Sequence, residues 1–188
     1  MTTPKPTRAD LLATAHRPVP DLIAPGLTVL FCGINPGLYS AWSGHHFARP
    51  GNRFWPTLYA SGFTPRRFRP DEERELLSLG LGITNVAERP SATADELSLA
   101  EVVAGGKKLS RRVARYKPRW LAVLGVTAYR AAFAEPKAAM GPQARTIGGA
   151  RVWVLPNPSG LNAHYRAADL ARVFAELRAA VELAERPA

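Results

Sequence analysis

The chain has 188 residues, 46% of them hydrophobic and 21% charged, and its formal net charge is +10 at pH 7. This composition suits one folded domain with a substantial core and argues against disorder. The basic excess predicts a polyanionic partner, and nucleic acid fits better than a membrane because no basic amphipathic helix stands out. No segment has the length or apolarity of a membrane span or signal sequence, so we expect a cytoplasmic, nucleoid-associated protein.

The first 25 residues are rich in proline and predict a mostly irregular leader with one short helical patch, Ala9 to Ala15. We place a single folded domain at residues 26–188. The only cysteine, Cys32, cannot form an internal disulfide, and together with four scattered histidines it matches no zinc or iron–sulfur spacing. We therefore expect Cys32 to be a small core residue, and we expect neither a metal nor a cofactor.

Four short runs rich in Val, Ile, Leu or Trp predict strands that are buried on both faces. They are Leu27–Cys32, Leu81–Val86, Trp120–Leu124 and Val152–Leu155. Helical patterns lie between and after them, at residues 52–62, 71–80, 95–116, 125–135 and 165–183. The alternation predicts a three-layer α/β/α sandwich around a mainly parallel four-stranded sheet.

Two strand exits carry an unusual chemistry, "GINPG" after the first strand and "LPNPSGLN" after the fourth. Proline fixes its own φ and favours an extended residue before it, so Asn35 and Asn157 should be held rather than mobile. Gly33, Gly37 and Gly160 would permit close backbone approach or positive φ. Asn-Pro-Gly and Asn-Pro-Ser-Gly are also good turn sequences. Two of them in one basic protein nevertheless favour a ligand site at the carboxyl edge of the sheet.

The segment between these loops, "YSAWSGHHFARPGNRFW", mixes aromatic, small and basic side chains. Such a mixture is typical of surfaces that stack a base and contact a phosphate. Phe54 and Trp55 fit the core face of a helix. Phe47 lies among small and polar residues, where a core position and a stacking position are equally consistent with the pattern.

Taken together, these segments resemble the mismatch-specific uracil/thymine DNA glycosylases, a branch of the uracil-DNA glycosylase superfamily. The resemblance extends from about Thr28 to the last helix. Its motifs are "GINPGL", "FARPGNRFW", "GITNVAERPSA", "AGGKKL" and "WVLPNPSGLN". It implies a monofunctional base-excision-repair enzyme without a cofactor, which hydrolyses the N-glycosidic bond of uracil flipped out of a G·U mispair in double-stranded DNA.

The resemblance also implies roles for residues of the first loop. Asn35 would hold the hydrolytic water. An amide orients water but cannot take its proton, so a slow, mismatch-dependent enzyme is expected. The backbone around Ile34 and Phe47 would bind the uracil edge, the Phe47 ring would stack on the base, and Ser40 would lie near the pyrimidine C5. The expected base-binding set is Gly33, Ile34, Gly37, Ser40 and Phe47.

In the second loop, Asn157 and Ser159 would lie close to the sugar and phosphate. Gly160, Leu161 and Asn162 would form the wedge that fills the gap left by the flipped nucleotide. The phosphate ligands expected from their charge are Arg49, Arg53 and Lys107. Ala163-His164 follows this loop where an arginine facing the opposite guanine is expected. Opposite-base dependence should therefore be looser, and single-stranded uracil becomes a candidate substrate.

Asp95 has two interpretations. It could cap the helix that follows, or it could supply the carboxylate that Asn35 lacks if its loop folds over the pocket. The function of the whole chain has three alternative interpretations. A nucleotide-binding enzyme lacks both the G-x-G-x-x-G and the G-x-x-x-x-G-K-[ST] patterns, and an iron–sulfur glycosylase lacks the cysteines. A non-catalytic nucleic-acid-binding domain remains as the alternative. No seam suggests a dimer, so a monomer is expected.

Overall fold

The fold is a five-stranded, mostly parallel sheet, described from a computed structural model over residues 5–186. The strands are β1 (Val29–Gly33), β2 (Leu81–Asn85), β3 (Trp120–Leu124), β4 (Gly141–Ile147) and β5 (Ala150–Leu155). Their order across the sheet is β2-β1-β3-β5-β4. The first four in that order are parallel, so their carboxyl ends meet at one edge, and β4 runs antiparallel to β5.

The predicted α/β class is confirmed, but the predicted count of four strands is wrong. The additional strand, β4, is a polar edge strand that contains Pro142 and buries fully only Ile147. An edge strand needs no continuous apolar run, because one side faces solvent and one row of its backbone groups remains unpaired. Gly148 and Gly149, both with positive φ, form the tight turn into β5.

Helices cover both faces of the sheet. They are α1 (Arg8–Ala13), α2 (Leu38–Ser43), α3 (Phe54–Ala60), α4 (Leu99–Tyr116), α5 (Val126–Phe133) and α6 (Ala167–Glu185). Helix α2 was not predicted, and residues 70–79 form a 3₁₀ helix instead of an α-helix. Helix α4 begins later than predicted because the Ser98 hydroxyl accepts the Glu101 N–H at 3.2 Å and caps it. None of the helices within residues 5–186 is long and apolar enough to cross a membrane.

The Gly105-Gly106 pair does not interrupt α4 but lets it pack closely against its neighbours. A Cβ at Gly105 would lie 2.3 Å from the carbonyl oxygen of Val86, and a Cβ at Gly106 would lie 2.3 Å from that of Ala132. Any larger residue would push α4 away from the end of β2 and from α5. The two glycines therefore lower the helix propensity of α4 but allow it to pack closely against its neighbours.

Alternate strand residues point into two separate cores, which is why the strands read as continuous apolar runs. Phe31 packs on the side of α3 and α6, and Cys32 packs on the side of α4 and α5. Burial raises the pKa of the Cys32 thiol, so it stays protonated as the core residue that the sequence predicts. Leu22 of the leader is buried and pairs with Ile83 of β2, and the predicted domain boundary at residue 26 stays a prediction.

Candidate functional site

The first loop, residues 34–37, follows β1 and holds the Asn35 carboxamide in one orientation. Asn35 Nδ2 donates to the Arg89 carbonyl oxygen at 2.9 Å and to Ser91 Oγ at 2.7 Å. A carbonyl only accepts, so the amide nitrogen must face it. The Ser91 hydroxyl donates onward to the Thr93 carbonyl oxygen at 2.6 Å, which leaves its lone pair for Asn35. Asn35 Oδ1 has no hydrogen-bond partner within residues 5–186.

This geometry revises the expected chemistry of Asn35. The resemblance implies that the amide orients a water molecule, but both of its N–H groups already bind residues of the β2 loop, residues 86–93. Only the Oδ1 acceptor is available to a water molecule. Backbone bonds hold the two loops together as well, since Ala87 N–H donates to Ile34 and Ser91 N–H donates to Pro36. Asn35 is thus fixed by a network that does not depend on a ligand.

The two Asn-Pro loops lie at the same edge of the sheet and approach each other at Gly125, the residue that follows β3. From a Cβ built on Gly125, the Ile34 side chain lies 3.4 Å away and Asn157 Cβ lies 3.9 Å away. Since β3 lies between β1 and β5, its loop is the natural meeting point of the loops that leave those two strands. This is the topological position at which open α/β sheets bind ligands.

An aromatic ring and a second carboxamide lie beside the end of β1. From a Cβ built on Gly33, Asn85 Oδ1 would lie 2.5 Å away and Phe47 Cζ 3.3 Å away. Phe47 stacks on Phe54 with ring centroids 4.1 Å apart, and the residue as a whole is partly buried. Asn85 is 5% exposed, and its amide makes no hydrogen bond within the described part of the chain. Glycine at position 33 is therefore what lets Phe47 and Asn85 come together.

The second loop, residues 156–162, is rigid and presents an apolar tip. Asn157 Oδ1 accepts the Ser159 N–H at 3.0 Å, and Ser159 Oγ accepts the Leu161 N–H at 3.2 Å. Asn162 Nδ2 closes the loop by donating to the Asn157 carbonyl oxygen at 2.9 Å. Leu161 is 64% exposed at the tip. An exposed apolar side chain on a braced loop has the form that a wedge between base pairs requires.

Arg53 supports the second loop. Its guanidinium donates to the carbonyl oxygens of Ser159 at 2.6 Å and Asn162 at 2.8 Å, and also to that of Tyr165. These bonds use three of the five guanidinium N–H groups, and the phosphate contact of Arg53 stays a prediction. Arg49 is exposed and its guanidinium has no partner within residues 5–186, so it remains a candidate phosphate ligand.

Gly160, Gly37 and Ser40 differ in how well their surroundings fit the roles predicted for them. Gly160 permits a close approach, because a Cβ there would lie 2.6 Å from the Gly51 carbonyl oxygen. Gly37 has φ −73° and open space around it, so neither positive φ nor close packing within the chain explains it. Ser40 is buried and accepts the Ala48 N–H at 3.3 Å. The proximity of Ser40 to a pyrimidine C5 stays a prediction.

Asp95 does not cap α4, because Ser98 does. It lies exposed in the short 3₁₀ helix Ala94–Glu96, and its carboxylate makes no contact to another side chain within the described residues. Its catalytic role stays a prediction.

Lys107 is exposed on α4 and makes no ion pair among the described residues, whereas Lys108 lies 3.7 Å from Glu88. The phosphate contact of Lys107 also stays a prediction.

Asn85 and Ser91 are not among the predicted site residues, although both lie in the motif "GITNVAERPSA". A polar residue at the carboxyl end of a buried strand was the available signal for Asn85. Ser91 gave no such signal, since its importance depends on the loop that it meets 56 residues away. Within residues 5–186, no cluster of His, Cys, Asp and Glu could hold a metal ion.

The fold is that of an open α/β protein, and the candidate site lies at the carboxyl ends of its parallel strands, where such sheets bind ligands. The solution NMR structure of a uracil DNA glycosylase candidate from Methanosarcina acetivorans shares this fold with a TM-score of 0.56 and 19% identity over 86% of this chain and 98% of that one. The family model of the uracil DNA glycosylase superfamily matches residues 20–179. The chain therefore belongs to the uracil DNA glycosylase superfamily.

Proposed function

We propose that the protein is a monofunctional DNA glycosylase that removes uracil from G·U mispairs in double-stranded DNA. The observation that carries this proposal is the Asn35 carboxamide, whose two N–H groups are engaged and whose Oδ1 has no partner within residues 5–186. An acceptor held in this way orients one hydrogen of a water molecule and leaves the oxygen lone pair free to attack. It lies on the loop next to Gly33, against which Phe47 and Asn85 pack.

The chemistry follows from what an amide can and cannot do. The bond between C1′ and N1 of the nucleotide breaks, and its electron pair leaves with uracil as a delocalised anion. The oxygen of the water then bonds to the cationic C1′, and the proton it loses passes to solvent, since an amide is not a base at neutral pH. Rate enhancement therefore comes from positioning of the water and from stabilisation of the leaving group.

Asn85 and Phe47 together suit recognition of a pyrimidine. Phe54 stacks against one side of the Phe47 ring, and we expect the base to stack on the other side. The amide of Asn85 has no hydrogen-bond partner among the described residues, and a carboxamide can accept from N3–H and donate to O4 of uracil. Both polar atoms of the Asn85 amide keep some contact with solvent, so an extruded base could reach them.

The preference for mismatches would come from the cost of extrusion. Taking a base out of the duplex costs a few kcal/mol, and a mispaired uracil costs less than a paired one. Leu161, exposed on a loop that Arg53 braces, would enter the stack and replace part of the lost contact. Because an amide catalyses weakly, excision depends on how readily the base leaves the duplex, and mispaired uracil leaves most readily.

The test is excision from a labelled G·U duplex without added metal or cofactor, followed by alkaline cleavage of abasic sites. Strand scission with the wild type is expected. Asn35→Ala should lose about a hundredfold or more in single-turnover rate, as the loss of a group that positions the reacting water predicts, while the Kd for duplex stays unchanged. Asn52→Ala is a matched amide control on the neighbouring segment.

Two outcomes would count against the proposal. Near-normal turnover by Asn35→Ala would remove the amide from the mechanism. Tight duplex binding by the wild type without scission, on G·U or on single-stranded uracil, would favour the non-catalytic nucleic-acid-binding alternative.

A further inference from the structure

The segment that carries Phe47 adopts a backbone conformation that needs external support. Phe47 has φ +52°, in the left-handed region that a bulky residue rarely occupies. Such a conformation is strained for a residue with a bulky side chain and persists only where the surroundings enforce it. We call residues 44–48 the clamp segment. Its contacts show what enforces the conformation.

One carboxylate contacts the clamp segment at two points. Glu73 Oε2 accepts the His46 backbone N–H at 2.8 Å, and Glu73 Oε1 lies 3.2 Å from His45 Nδ1. The Glu73 side chain is 12% exposed, and His45 is its only ion-pair partner within residues 5–186. Glu73 belongs to the 3₁₀ helix Pro70–Leu79, so the support comes from a separate element of the fold. Hydrogen bonds to a buried carboxylate are stronger than neutral ones.

Three further contacts hold the two sides of the same turn. The indole Nε1 of Trp55 donates to the His46 carbonyl oxygen at 3.1 Å, and His46 Nε2 lies 3.0 Å from the Pro20 carbonyl oxygen. Ala48 N–H donates to Ser40 Oγ at 3.3 Å. Among the contacts of the described residues, Glu73 supplies the only carboxylate to this segment. Glu73 accepts the backbone N–H of His46, the residue directly before Phe47.

We infer that Glu73 is a positioning residue that holds the Phe47 ring in place for stacking by the extruded base. This inference rests on the proposed function, because it assigns the purpose of the ring to base binding. Glu73 does not reach the base itself and acts through the backbone of His46. Without it, the left-handed turn at Phe47 would relax, and the ring would leave its place against Gly33 and Phe54.

The test compares Glu73→Ala and Glu73→Gln with a control on the same 3₁₀ helix. Glu73→Ala should slow single-turnover excision of uracil by about tenfold to a hundredfold and leave duplex affinity nearly unchanged. Glu73→Gln keeps an oxygen for the His46 N–H and should recover most of the rate. Glu75→Ala removes an equally charged residue that pairs with Arg66 on the surface, and it should match the wild type.

Two readouts separate positioning from a general loss of stability. If Glu73 acts through Phe47, the double variant of Glu73→Ala with Phe47→Ala should be no slower than Phe47→Ala alone. The indole N–H of Trp55, which donates to His46, should exchange with solvent faster in Glu73→Ala than in Glu75→Ala by NMR.

The inference is overturned if Glu73→Ala excises uracil at the wild-type rate, if the two substitutions act additively, or if the Trp55 exchange rate is unchanged. A wild type without any excision would instead reject the proposed function. The Trp55 exchange measurement would then still decide whether Glu73 holds the clamp segment.

Discussion

Ser91→Ala tests whether the hydrogen-bond network behind Asn35 governs catalysis. The substitution removes one hydroxyl, which accepts from Asn35 Nδ2 at 2.7 Å and donates to the Thr93 carbonyl oxygen at 2.6 Å. Ser91 is 3% exposed, so water does not easily replace that hydroxyl. Asn35 would then be held only by its bond to the Arg89 carbonyl oxygen, and its amide could rotate.

The magnitude follows from these two bonds. An unpaired polar group at a buried site costs about 1–3 kcal/mol, and about 1.4 kcal/mol corresponds to tenfold in rate. The Thr93 carbonyl belongs to an exposed residue and can bond to water instead, so its loss costs little. If the cost falls on the orientation of Asn35, the single-turnover rate should drop about tenfold to a hundredfold.

The assay is single-turnover excision from a G·U duplex, measured together with the melting temperature. Ser91→Thr keeps the hydroxyl and should retain most of the rate. Ser98→Ala provides the control, because its hydroxyl binds only Glu101 among the described residues, through the backbone N–H and the carboxylate, and makes no hydrogen bond to Asn35 or Ser91. Its expected effect is a stability loss of about 1 kcal/mol with an unchanged rate.

The reasoning is refuted if Ser91→Ala keeps the wild-type rate, since Asn35 would then not need its second anchor. It is also refuted if Ser91→Ala and Ser98→Ala lose rate in the same proportion to their loss of melting temperature, because the effect would then be general.

Three further predictions concern the base site, the DNA surface and pH. Gly33→Ala places a Cβ 2.5 Å from Asn85 Oδ1, so excision should be lost while duplex binding persists, and normal excision would show that the pocket is not at Gly33. Arg49→Ala should flatten the plot of log Kd against log salt by about 0.9, and an unchanged slope in an anisotropy titration would exclude a phosphate contact. Burial lowers the pKa of His46 below its ordinary 6.5, so below that pH the unfolded chain binds a proton that the folded one excludes. The melting temperature should therefore fall as the pH drops below 6.5. If His46→Gln shows an equal fall, the pH dependence comes from groups other than His46.

Local sequence was sufficient where the structure depends on neighbouring residues. The four parallel strands lie within two residues of the predicted runs, because strands buried on both faces must be apolar throughout. The Asn-Pro loops were found for a similar reason, since proline restricts its own φ and the residue before it. By contrast, β4 was not predicted, because a solvent-exposed edge strand has no continuous apolar run in its sequence.

The sequence by itself determined the class of the fold, the parallel strands and the two Asn-Pro loops, but not the part that Asn85 and Ser91 play beside them. Tertiary structure alone decided what those residues do. Asn35 receives its orientation from Arg89 and Ser91, which lie 54 and 56 residues further along the chain. Arg53 donates to the Ser159 carbonyl oxygen of the second loop, 106 residues further along the chain. The physical reason is that hydrogen bonds depend on donor and acceptor directions, and these become fixed only when distant loops meet at one edge of the sheet.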